Sequence, residues 1–60
     1  MNNTINYNGR TYNAETIKGY YETDICVQID ADTEQEFFDE YIKLDPTFTD
    51  LFKYDIDPID

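Results

Sequence analysis

At 60 residues the chain holds one domain at most, and folding hides only about 60% of the surface its extended form exposes. Six Tyr and four Phe supply a strongly aromatic core, while 14 acids against four bases leave a net charge of −10. That charge repels nucleic acid and anionic membranes, the single cysteine excludes an internal disulfide, and the absence of histidine removes the commonest general base and zinc ligand.

The run TINYNGRTYN at 4–13 predicts a β-hairpin, because Asn8-Gly9 supplies the two positive φ angles of a type I′ turn. A two-residue loop sets Tyr7 opposite Arg10 and Ile5 opposite Tyr12. Ile5, Tyr7 and Tyr12 then share one face, with Thr4, Asn6, Thr11 and Asn13 on the other.

In residues 13–22, Asn13 suits a helix cap and Ala14, Ile17 and Tyr21 share a stripe at i, i+3, i+7. A short helix is favoured, although Gly19 opposes it and the Thr-Ile and Tyr-Tyr pairs leave a strand open. Residues 24–30, DICVQID, alternate cleanly with Ile25, Val27 and Ile29 on one side, which predicts a half-buried strand with Cys26 on its less apolar face.

Thr33-Glu34-Gln35-Glu36 has the T-x-x-E pattern of a capping box, which opens a helix over 34–44. At 100° per residue, Phe37, Phe38, Tyr41, Ile42 and Leu44 cover one arc and Glu36, Asp39, Glu40 and Lys43 the opposite one. Asp45-Pro46 ends this helix and starts a short helical turn through Phe48, Leu51 and Phe52. The expected architecture is α+β, a small antiparallel sheet of about three strands packed by the amphipathic helix. Residues 1–54 are expected to form the single domain and 55–60 an acidic tail, flexible in isolation and able to order against a partner.

Residues 30–41, DADTEQEFFDEY, open like an EF-hand calcium loop, with oxygen ligands at positions 1, 3 and 5. Position 6 is Gln35 where glycine is required, and position 12 is Tyr41 where a bidentate Glu is required. No metal or cofactor is expected on these residues. With no histidine and no glycine-rich phosphate loop, the reading is of a protein without catalytic activity. No apolar run exceeds three residues, so neither a signal peptide nor a membrane segment is expected, and the reducing cytoplasm is the expected compartment.

The acidity is uneven: residues 1–29 carry a net charge of −1 and residues 30–60 a net charge of −9. Solubility of a small domain needs a net charge of magnitude only about 2–8. Spread over a body about 25–30 Å across, the excess approaches the charge density of duplex DNA, one charge per about 1.7 Å. Glu36, Asp39 and Glu40, at i, i+3 and i+4, repel one another by a few tenths of a kcal/mol per pair, a cost that a cationic partner removes.

In size, charge, aromatic richness and the prevalence of residues with AT-rich codons, the chain resembles the small acidic inhibitors of phages and mobile elements, of the anti-CRISPR and anti-restriction type. The resemblance implies an inhibitor that occupies the nucleic-acid-binding surface of a host defence protein, such as a Cas effector or restriction enzyme. On that reading Asp30, Asp32, Glu34, Glu36, Asp39, Glu40, Asp45, Asp50, Asp55 and Asp57 pair with the partner's Lys and Arg, and Tyr20 or Tyr54 serve as aromatic anchors. The competing reading is a non-catalytic adaptor of a phage or bacterial assembly, bound through the apolar hairpin face or the tail.

Overall fold

The computed structural model describes residues 3–59; Met1, Asn2 and Asp60, at the outer ends of the expected domain and tail, lie outside the described residues. The architecture is α+β; among the described residues β1 (Thr4–Tyr7) and β2 (Arg10–Asn13) are followed by four helices, α1 (Ala14–Lys18), α2 (Thr23–Cys26), α3 (Glu34–Leu44) and α4 (Leu51–Tyr54). A 3-10 turn, Pro46–Asp50, runs directly into α4.

The hairpin forms in the expected register, with Ile5 opposite Tyr12 and Tyr7 opposite Arg10. Asn8 and Gly9 both hold positive φ, 53° and 78°, as a type I′ turn demands. On its outer face the Thr11 hydroxyl donates to Asn6 Oδ1 across the strands at 3.1 Å. Asn13 then caps α1 by accepting the Glu15 N–H at 2.8 Å. The helix is over by Lys18, so Gly19 is its cap and never occupies an interior position. Five residues cannot sustain a helix alone; Ala14 and Ile17, both fully buried, hold it.

The expected strand over 24–30 does not form. Thr23–Cys26 is helical, and turn bonds from Gln28 N–H to Ile25 O and from Ile29 N–H to Cys26 O carry the coil onward. Ile25, Cys26 and Ile29 face the core at i, i+1 and i+4, while Val27, which alternation turned inward, is 79% exposed. The sheet among the described residues therefore has two strands where about three were expected. Both outer edges of the hairpin are already engaged. Asn6, a position whose backbone groups point away from β2, gives its N–H to Gln35 Oε1 (2.6 Å) and its carbonyl accepts from Gln35 Nε2 (3.0 Å). On the other edge Thr11 O accepts the N–H of Ile59 at 2.7 Å.

What closes the core instead is the C-terminal segment. Phe48, Leu51, Phe52 and Ile56, at i, i+3, i+4 and i+8, lay one stripe against the hairpin and α3. Phe52 meets Tyr7, Tyr12 and Phe38 at ring-centroid separations of 4.8, 4.6 and 5.4 Å; Phe48 meets Tyr41 at 4.7 Å and Tyr21 at 5.6 Å. Edge and offset contacts of this kind contribute about 0.5–1.5 kcal/mol per pair beyond area burial. Ile56 is fully inside this core, so the expected boundary after residue 54 is not a boundary in the packing. An acidic run with an isoleucine every third position, Ile56 and Ile59, reads as solvated by composition, yet one buried side chain and one backbone hydrogen bond tie it down.

Candidate functional site: exposed carboxylates and a cleft at the start of α3

Thr33 caps α3 as expected, its hydroxyl accepting the Glu36 N–H at 3.1 Å. The reciprocal half of the box is displaced by one residue: Glu36 Oε2 accepts the N–H of Asp32 at 3.3 Å instead of that of Thr33. Phe38 and Tyr41 are fully buried, and Leu44, assigned to the apolar arc, is 51% exposed because it sits at the rim of that arc in the last turn.

The ten carboxylates assigned to a partner lie on three stretches of the chain, and eight of them are exposed. Asp30 and Asp32 are exposed in the loop before α3, Glu36, Asp39 and Glu40 are exposed on its outer side, and Asp50, Asp55 and Asp57 are exposed on the C-terminal segment. Two depart from expectation. Glu34 lies four and seven residues before Phe38 and Tyr41, so it points along the core-facing side of the helix; it is half-buried and pairs with Lys18 Nζ at 2.9 Å. That pairing holds the Lys18 ammonium above its ordinary pKa, through the hydrogen bond first and the charge of Glu34 second. Asp45 is also half-buried, its Oδ1 accepting the Thr47 hydroxyl at 2.6 Å.

The three helix acids expected to repel one another each have a local donor. Glu36 has the Asp32 N–H, Asp39 accepts from Gln35 Nε2 at 3.1 Å, and Glu40 meets Lys43 Nζ at 3.3 Å. Part of the repulsion is thus offset within the chain. Among the described residues Lys18–Glu34 and Lys43–Glu40 are the two ion pairs, and the exposed acids elsewhere face solvent. Across a body of 30 × 27 × 18 Å, a net charge of −10 gives about one net charge per 3 Å of the long axis, nearer the roughly 3.4 Å spacing of a single nucleic-acid strand than that of a duplex.

The feature that sequence pattern does not mark is a cleft of about 330 Å³ where α1 comes up against the start of α3. Tyr21 and Phe37 form its aromatic wall, with ring centroids 4.8 Å apart and planes tilted by 54°. Lys18 and Glu34, joined by their ion pair, line it as well, together with Ala31, Asp32 and Thr33. Its two sides come from positions 10 to 19 residues apart, so no local spacing announces it. The Tyr21 hydroxyl is shielded from solvent with no hydrogen-bond partner among the described residues, and burial, helped by the charge of Glu34, pushes its pKa up.

Tyr41 is its counterpart. Its hydroxyl accepts the Glu22 N–H at 2.6 Å and so fixes the start of α2. Burial raises its pKa too, against the opposing effect of that hydrogen bond.

Among the described residues no three His, Cys, Asp or Glu side chains gather closely enough to hold a metal ion, and no helix is long and apolar enough to cross a membrane. Cys26 is a free, half-buried thiol on the inner side of α2, the reverse of the expected face. Comparison with known proteins adds no relative: no protein-family model matches the chain, and no curated protein or solved structure matches it significantly.

Proposed function

We propose that this protein is a small acidic, anti-CRISPR-like inhibitor that acts in a bacterial cytoplasm, binds the basic nucleic-acid-binding surface of a host defence protein, and blocks nucleic-acid access by charge mimicry. The observation that carries the reading is the display of charge. Asp30, Asp32, Glu36, Asp39, Glu40, Asp50, Asp55 and Asp57 are exposed on a body only 30 Å long, and Lys43 at Glu40 is the one basic side chain in an ion pair with any of them among the described residues. Such a field steers basic surfaces into contact and repels the nucleic acid they would otherwise hold. Glu34 and Asp45 contribute less to contact than the other eight, because each is partly withdrawn into an internal bond.

The test is affinity capture on the immobilised chain from a low-GC bacterial lysate, eluted with a salt gradient, followed by competition between the chain and nucleic acid for the captured protein. Binding is expected to fall steeply with salt, and the double variant Asp39→Lys, Glu40→Lys to weaken it about tenfold or more, the factor that about 1.4 kcal/mol represents. Unchanged binding by that variant overturns the proposal. The adaptor reading draws on the exposed apolar side chains Val27, Leu44 and Tyr54; it requires binding that survives high salt and is lost on Tyr54→Ser.

A further inference from the structure

We infer that the cleft between α1 and the start of α3 is the seat of a single arginine side chain presented by a protein partner. The existence of a basic partner rests on the function proposed above, whereas the choice of arginine rests on the cleft. Its volume of about 330 Å³ lies at the bottom of the range of about 300–1,000 Å³ typical of ligand sites, enough for one long side chain and the backbone that carries it.

Charge selects a cation. Asp32 and Glu34 against Lys18 leave the cleft one net negative charge, with Lys18 paired to Oε1 of Glu34. An anion drawn to the helix N-terminus meets the carboxylates of Asp32, Glu34 and Glu36 there, and the Glu36 N–H is already given to Thr33.

Shape selects the planar cation. Tyr21 and Phe37 are both half-buried and both line the cleft, so aromatic surface is presented beside the carboxylates. A guanidinium stacks on such rings, sheds water more readily than an ammonium, and reaches two carboxylates with a fixed fork of donors. The loop that carries Asp32 is held by its N–H bond to Glu36, so one acceptor is positioned in advance.

Titration of the full chain with N-acetyl-arginine methylamide, followed by amide and aromatic NMR shifts, tests this without any protein partner. Saturable shifts are expected at Asp32, Thr33 and Glu34 and on the Tyr21 and Phe37 rings, with N-acetyl-lysine methylamide several-fold weaker. Asp32→Asn, at an exposed position, is expected to weaken the arginine probe several-fold, and Asp39→Asn, outside the cleft, to leave it unchanged. Non-saturating shifts at acids all over the surface, equal response to the two probes, or insensitivity to Asp32→Asn overturn the arginine seat. Any of these leaves the salt-sensitive capture of a basic protein untouched, and failure of that capture leaves a saturable arginine site standing, so the two ideas fail separately.

Discussion

Residues 4–13 and residues 24–30 carry equally clean alternation, yet one is a hairpin and the other a helical turn. The difference is the partner. The hairpin brings its second strand through Asn8-Gly9, whose positive φ angles pair β1 with β2 locally. Residues 24–30 need an edge to pair with, and both edges are occupied, at Asn6 by the Gln35 amide and at Thr11 by the backbone of Ile59. Alternation states which side chains seek the interior; only an available ladder makes a strand of them. Denied one, the segment coils and packs Ile25, Cys26 and Ile29, each half-buried, against the core at helical spacing.

The harshest way to break this comparison is to remove what closes the core in place of a third strand. Phe48→Ala is expected to cost about 3–5 kcal/mol, enough to unfold both regions in a domain this small, as read by circular dichroism under urea. Ile56→Ala should cost about 2–5 kcal/mol, and hydrogen exchange should show the protection of β2 falling before that of α3, because Ile56 leads the chain to the Thr11 edge. Tyr41→Phe acts on the other region alone. It leaves the Glu22 N–H without its acceptor, for a loss of about 1–2 kcal/mol concentrated in the amides of 22–29, with the hairpin amides unaffected.

Alkaline pH presses on the same junction. Tyr21 and Tyr41 have folded-state pKa values above the ordinary 10.0, so the native state binds protons that the unfolded chain releases. Their contribution is complete below pH 10 and is lost as pH rises through the folded values. Unfolding by circular dichroism should accompany the rise in phenolate absorbance above pH 10. The smallest effect is the sharpest test of the segment's conformation: Val27→Thr is expected to change stability by less than about 0.5 kcal/mol, where an inward strand position would lose more than about 1 kcal/mol.

Much of the fold is written in local pattern. The Asn-Gly turn, the Asn13 and Thr33 caps and the Phe38–Tyr41 stripe each need only their neighbours, and each is found where the pattern puts it. Long-range facts are not legible in this way. That a glutamine amide stands in for a strand at Asn6, 29 residues away, or that Ile59 reaches Thr11, leaves no local spacing behind. The candidate site divides along the same line. The exposure of Asp39 and Glu40 follows from helical phase, and so does the withdrawal of Glu34, since it stands at i−4 and i−7 from two core residues. Lys18 and Tyr21 join Glu34 only because α1 docks near the start of α3, and no carboxylate count points to them.

The Gln35–Asn6 amide pair also decides how this molecule meets others. A two-stranded sheet is ordinarily a template, offering backbone to any extended peptide that passes, including another copy of itself. Here the side chain of Gln35 satisfies both backbone groups of Asn6 at the middle of β1, and Ile59 does the same for the carbonyl of Thr11 in β2. Strand addition at those positions would have to displace these bonds first, one of the ways in which edge strands are guarded against edge-to-edge pairing. What those positions leave to present to a neighbour is side chain instead of main chain.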